Sequence, residues 1–237
     1  MTLTNRVAVI TGATGGLGRV AARRLAEAGA SLALISTDGA RLATLANELG
    51  LPAERRLTYA ADLTDPASAP AAAAAVQAKF GRVDILLHLV GGWAGGKTVV
   101  ELPAATLDSM LRQHLWSTFH VAQAFVPHLV ANGWGRIVVV SSPVATRPLA
   151  KSGAYAVARV AEETLIVTLA QEVQGSGVTA NVLQVRAIDA EHRREREGSA
   201  ETASWTTPEE ISAAIVYLCS DAAGVVNGAR LPLHGAR

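Results

Sequence analysis

Short apolar runs alternate along this chain with stretches of helical period, and the alternation persists almost from end to end. An apolar run over 6–10 leads through a glycine-rich turn into a helix near 17–28, with Val20, Leu25 and Ala28 on its inner face and Gly29 ending it. A second strand over 32–35 runs into Ser36-Thr37-Asp38 and a helix with Leu42, Leu45 and Leu49 at helical spacing. The third strand, near 57–60, stops at Asp62, after which Thr64-Asp65-Pro66 opens an alanine-rich helix to about Phe80; alanine is the best helix former, so this is packed helix rather than linker. Residues 84–90 read as a continuous apolar strand interrupted by His88 and closed by Gly91-Gly92. One or two helices over 103–130 carry Leu107, Leu111, Leu115, Phe119, Ala122 and Val126. A strand over 136–140, a loop over 141–152, a helix over 153–174 and a strand over 178–185 follow. Thr207-Pro208-Glu209-Glu210 starts a capped helix that continues to Ser220. This order predicts an α/β fold: a doubly wound parallel sheet of about seven strands with helices on both faces.

The turn Thr11-Gly12-Ala13-Thr14-Gly15-Gly16-Leu17-Gly18 joins the first strand to the first helix. A strand feeding a helix in this way leaves backbone N–H groups unpaired at the helix N-terminus, where the helix dipole adds partial positive charge. That end is an anion site, and the expected ligand is a dinucleotide. Gly12 suits the positive φ of a tight turn, Gly16 leaves room for a pyrophosphate, and Gly18 lets the helix close on the strand. The spacing Gly-x3-Gly-x-Gly differs from the G-x-G-x-x-G fingerprint, so the glycines alone also admit a loop that merely turns the chain.

Ligands of doubly wound sheets bind beyond the carboxyl ends of the strands, which selects Ser36 to Asp38, Asp62, Gly91-Gly92, Ser141-Ser142 and 185–188. An acid ending the second strand would bind the ribose diol of NAD, and a base the 2′-phosphate of NADP. Ser36 and Thr37 are neither. Their hydroxyls can bond a phosphate while Asp38 repels it, and the balance leans to NADP. Asp62 can cap the turn with Thr64 and still face a ligand.

Thr11 followed by Gly-x3-Gly-x-Gly resembles the cofactor turn of the short-chain dehydrogenase/reductase family, and later segments extend the resemblance over nearly the whole chain. Ser142, Tyr155 thirteen residues on and Arg159 four beyond it match the family's Ser-Tyr-Lys core, with Arg in place of Lys. A spacing of four puts Tyr155 and Arg159 on one helix face. A free phenol has a pKa near 10, and a neighbouring positive charge favours phenolate. Arg supplies that charge on a wider, planar group than an ammonium.

The resemblance implies a Rossmann-like fold of the classical type with degenerate active-site motifs. It implies an NAD(P)-dependent oxidoreductase that moves a hydride between a nicotinamide cofactor and a carbonyl or alcohol substrate. Tyr155 would exchange a proton with the substrate oxygen, Ser142 would hold that oxygen, and Arg159 would position the ribose and lower the phenol pKa. His114 takes the place of the family's relay Asn. The implied cofactor contacts are Thr11, Gly12, Thr14, Gly16, Leu17, Gly18, Ser36, Thr37, Asp62, Leu63, Val90, Gly91, Tyr155, Arg159, Val185 and Ile188, with Asp62 at the adenine. The helices over 103–130 and 153–174 would pack against symmetry mates in a homo-oligomer, a dimer or tetramer.

Several positions depart from the family pattern. His88-Leu89-Val90-Gly91 stands for Asn-Asn-Ala-Gly, Val185-Arg186 for Pro-Gly, and Ala190 for Thr. Arg186 would either obstruct the nicotinamide or pair with a cofactor phosphate or a substrate carboxylate. Together with Arg159, these departures keep a second function open: a catalytically impaired short-chain fold acting as a nucleotide-binding or structural partner. The tail recovers the resemblance, since 207–211, 218–221 and Asn227-Gly228 match the family's last helix and strand.

Composition adds bounds. Residues 1–237 are expected to form one domain, with a core of Ala, Val, Leu and Ile, because hydrophobic residues make up 50% and aromatics only 4%. A net charge of +1 gives no electrostatic reason to expect nucleic acid or an acidic membrane as partner. Cys219 is the single cysteine, so no internal disulfide and no thiolate metal cluster are expected, and no metal site is. Without a signal-peptide pattern or a long apolar run, the expected setting is cytoplasmic. Residues 189–205 are polar and weakly periodic, and read equally as a solvated helix face or a mobile lid over a substrate cleft.

Overall fold

A computed structural model describes residues 2–233. Its strands are β1 (Val7–Thr11), β2 (Ser31–Ser36), β3 (Arg56–Ala60), β4 (Ile85–His88), β5 (Gly135–Ser141), β6 (Val178–Val185) and β7 (Arg230–Leu233). They form one seven-stranded sheet in the order β3-β2-β1-β4-β5-β6-β7, and every pairing is parallel. The order reverses between β1 and β4, and the crevice there is where such sheets take their ligands.

The helices are α1 (Gly16–Glu27), α2 (Gly39–Leu49), α3 (Ser68–Phe80), α4 (Ala104–Leu111), α5 (Ser117–Ala131), α6 (Gly153–Glu172), α7 (Arg193–Glu197) and α8 (Pro208–Leu218). Successive strand side chains point to opposite faces, so Ala8 and Ile10 enter one core while Val7 and Val9 enter the other. The first core joins Leu17, Ala21 and Leu25 of α1 to Leu42 and Leu45 of α2 and Ile211, Ile215 and Leu218 of α8. In the second, the α3 alanines Ala69, Ala72 and Ala73 meet Val121, Phe125 and Leu129 of α5 and Ile166 and Ala170 of α6. The small α3 alanines allow close packing, and the helix ends at Gly81, which has φ 69°.

Local chemistry fixes the ends of other elements. Asp38 caps α2 by accepting from Arg41 N at 3.0 Å. Thr207 and Glu210 form a capping box at α8, with Thr207 N donating to Glu210 Oε2 at 2.8 Å and Glu210 N to Thr207 Oγ1 at 3.3 Å.

Three expectations change. The strand over 84–90 shortens to β4, because the Asp84 carboxylate takes Val7 N at 2.8 Å and ion pairs with Arg6 and Arg82, while Leu89 N turns to Thr11. The run over 103–130 is continuous helical backbone with a π-turn, Arg112–Trp116, between α4 and α5. Such turns insert a residue and re-aim a side chain, and this one carries His114. Residues 189–205 hold the short α7 and a one-turn helix, Thr202–Ser204. The buried Asp189 carboxylate caps α7 through Arg193 N and Arg194 N, both at 2.8 Å, and Arg194 ties it to Trp205 O and Glu210.

Candidate active site

A cavity of about 1060 Å³ opens beyond the carboxyl ends of the central strands. The glycine turn, 89–93, 140–144, Tyr155, Arg159 and 185–188 line it. Gly12 has φ 66°, and a Cβ there would stand 2.7 Å from Leu89 O; a Cβ on Gly18 would run into Gly12 O. The turn therefore requires glycine at both positions. No side chain caps α1, so its N-terminal N–H groups are left to an anion. At Gly16 the close neighbour is protein as well, because a Cβ would meet Ala190 Cβ at 3.2 Å.

Thr14 organises the end of β2. Its hydroxyl bonds Ser36 Oγ at 2.7 Å, and its carbonyl accepts from Arg41 Nη2 at 2.7 Å. Arg41 thus brings a base to the end of β2, where the sequence shows only Ser36 and Thr37; the signal was its place three residues after the capping Asp38. Asp62 Oδ1 accepts from Thr64 N at 3.0 Å and from Thr64 Oγ1 at 2.8 Å. The Leu63 side chain belongs to the second core. Thr11, Thr14, Ser36, Thr37, Asp62 and Leu63 stand outside the cavity lining, whereas Gly12, Gly16, Leu17, Gly18, Val90, Gly91, Val185 and Ile188 are part of it.

Ser142, Tyr155 and Arg159 share the cavity wall. The Arg159 guanidinium carbon stands 5.2 Å from the centroid of the Tyr155 ring. Nη1 of Arg159 donates to Val140 O at 2.8 Å and to Glu162 Oε2 at 2.7 Å. Burial opposes the Arg159 charge, but Glu162 and Tyr155 outweigh it and hold its pKa above the ordinary value. Burial pushes the Glu162 carboxyl above the usual carboxylate range, with Arg159 pulling the other way. Glu162 went unrecognised in the sequence, although its position three residues after Arg159 puts both on one face of α6.

His114 packs edge-on against Tyr155, with ring centroids 5.6 Å apart. Its Nε2 bonds Gly92 O at 3.0 Å. A carbonyl only accepts, so Nε2 carries the proton. Burial and then the Arg159 charge lower the His114 pKa to about 3, which leaves Nδ1 a bare acceptor. That atom and Arg159 Nε are buried without a partner among the described residues. Uncapped N–H groups at one end and free polar atoms beside Tyr155 at the other fit a dinucleotide with a polar ribose.

A family model described as short chain dehydrogenase matches residues 6–200. The chain belongs to that family. It is 34% identical to D-threitol dehydrogenase of Mycolicibacterium smegmatis, over 98% of this chain and 93% of that protein. Levodione reductase superposes with a TM-score of 0.89 at 26% identity, covering 98% of this chain and 97% of the reductase. A short-chain oxidoreductase of Pseudomonas aeruginosa PAO1, solved with NADPH and described as containing an atypical catalytic center, superposes at 0.88 with 26% identity, over 98% and 96%. This chain is accordingly an NAD(P)-dependent oxidoreductase that transfers hydride between a nicotinamide cofactor and a carbonyl or alcohol. None of these matches favours the non-catalytic alternative.

Against this short-chain dehydrogenase background, the departures acquire physical reasons. His88 is a satisfied core residue. Ser117 Oγ donates to Gln113 O at 2.5 Å, so His88 Nε2 must donate to Ser117 Oγ at 3.3 Å, and His88 Nδ1 accepts from Thr11 Oγ1 at 2.8 Å. Burial, with Arg159 second, lowers the His88 pKa to about 3. Arg186 is turned toward the 189–205 segment, donating to Ser204 Oγ at 2.6 Å while still lining the cavity.

Proposed function

We propose that Tyr155 is the acid and base of this oxidoreductase, with Ser142 holding the substrate oxygen, Arg159 bonding the nicotinamide ribose and His114 accepting at the inner end of the site. The observation that carries this reading is the convergence of Ser142, Tyr155 and Arg159 on the cavity that the glycine turn opens. When bound, the nicotinamide would supply or take up the hydride at the substrate carbon. In the reducing direction the phenol gives its proton to the oxygen as the carbonyl becomes an alcohol, and solvent restores that proton. Arg159 shares its charge with Glu162, so the phenol feels a partly neutralised cation. The bare Nδ1 of His114 can hold a water but has no proton to give.

NADP is the preferred cofactor in this reading. Arg41, anchored on Thr14 O, supports it, and Asp38 is occupied by capping α2. Gly12, Gly16, Leu17 and Gly18 hold the pyrophosphate; Thr11 and Thr14 brace that turn. Ser36 and Thr37 flank the adenine ribose, Asp62 and Leu63 the adenine, and Val90, Gly91, Val185 and Ile188 the nicotinamide half. Residues 1–237 act as one domain in the cytoplasm. A homo-oligomer, a dimer or tetramer, forms through the helices over 103–130 and 153–174, a reading supported by the exposed Trp116, Val130, Val157 and Val160. Among the described residues no helix is long and apolar enough to cross a membrane.

Titration with NADPH and with NADH, followed by Trp fluorescence, tests the reading. Saturable binding of NADPH, tighter than that of NADH, is expected. If neither saturates at millimolar concentration, the reading fails.

A further inference from the structure

The outer part of the cavity is cationic. Arg147, Lys151 and Arg186 join Arg159 in its lining, and no Asp or Glu lines it. The chain as a whole is nearly balanced, with 21 Lys and Arg against 20 Asp and Glu, so the imbalance is local. Other arginines carry a counter-ion, such as Arg19 with Glu48, Arg82 with Asp84, Arg193 with Glu197 and Arg230 with Glu163, or are spent on backbone carbonyls, such as Arg55, Arg56 and Arg136. Arg147 and Lys151 have neither an ion pair nor a side-chain hydrogen bond among the described residues, and Arg186 meets only the neutral Ser204 hydroxyl.

These cations are placed for the substrate rather than for the cofactor. Arg147 and Lys151 ride on the same segment as Ser142 and Tyr155, whereas the cofactor phosphates are assigned above to the glycine turn and Arg41. Lys151 adopts φ 64°, a left-handed conformation that is uncommon for a residue other than glycine. Its carbonyl accepts from Gly96 N at 2.8 Å, which pins the 93–98 loop to it. That loop brings Trp93 to the cavity, and Val144 and Leu149 add apolar surface beside it.

Cations without a counter-ion, on a wall that carries Ser142 and Tyr155 as well as the apolar Trp93, Val144 and Leu149, select a particular ligand. We propose that the substrate is a carboxylate-bearing ketone or secondary alcohol with an apolar body, whose acid group is held by Arg147 and Lys151, with Arg186 facing it. This rests on the assignment of Ser142 and Tyr155 to the substrate oxygen.

The test uses the full chain with NADPH and matched probes: acetoacetate, levulinate and cyclohexanone carboxylate, each against its methyl ester. The acids should exceed their esters in kcat/KM by about tenfold or more, the worth of a hydrogen bond to a charged group. Added salt should narrow the gap. In the double variant Arg147→Gln/Lys151→Gln the acid-to-ester ratio should fall toward one; because it is a ratio within one preparation, loss of folded protein does not move it. Thermal melting of the NADPH complex with each probe gives a readout free of turnover. Turnover without preference for the acids, or a ratio that the double variant leaves intact, overturns the proposal and spares the oxidoreductase reading. Stabilisation by acids alone with no turnover keeps the anion site and overturns the catalytic assignment. Neither turnover nor stabilisation overturns both.

Discussion

Arg159 and Glu162 pair at 2.7 Å within one turn of α6, where the Glu162 side chain is fully buried and that of Arg159 nearly so. The cation expected to serve Tyr155 thus arrives with its own counter-ion. Removing one member leaves the other charge buried and unpaired, which costs about 3–5 kcal/mol. Arg159→Met should lower stability by that amount, while Arg159→Met/Glu162→Leu should recover most of it without recovering activity. Arg159→Lys, which keeps the charge and can still meet Glu162, should retain activity better than Arg159→Met. Denaturant melts of Arg159→Met, Glu162→Leu and the double variant close the cycle; simple additivity of the two single changes would argue against the pair.

Much of the fold was legible because its cause is local. Period and turn residues in the sequence mark the strands and helices, and the Ser142, Tyr155 and Arg159 spacing needs only a loop and one helix. What stayed hidden depends on contacts between distant segments. Arg41 reaches back to Thr14 over 27 residues, Arg186 finds Ser204 eighteen residues on, and the π-turn that carries His114 leaves the apolar spacing almost unchanged. His88 looked like a damaged motif because its partners Thr11 and Ser117 lie on other elements.

Acid should destabilise the protein through His88 and His114. Both have folded pKa values of about 3 against an ordinary 6.5, so the unfolded chain binds the extra protons. Their contribution is complete above pH 6.5 and is lost progressively as pH falls toward 3. His114→Asn, which does not titrate, should move the acid unfolding midpoint down by roughly half a pH unit. An unchanged midpoint would mean that His114 is already protonated in the folded state.

Cofactor choice should depend on Arg41. Arg41→Ala should weaken NADPH binding by about 10–100-fold, the worth of a charge-assisted hydrogen bond, with little change for NADH. Equal losses for both cofactors in fluorescence titrations would assign Arg41 to bracing the glycine turn instead.

The catalytic role of Tyr155 is tested most directly by Tyr155→Phe, assayed for kcat and for NADPH affinity on one substrate that the wild type turns over. The change deletes only the hydroxyl that exchanges a proton with the substrate oxygen, so kcat should fall by about 10²–10⁴-fold while the NADPH dissociation constant stays within about twofold. Equal kcat in Tyr155→Phe and wild type would contradict the mechanism.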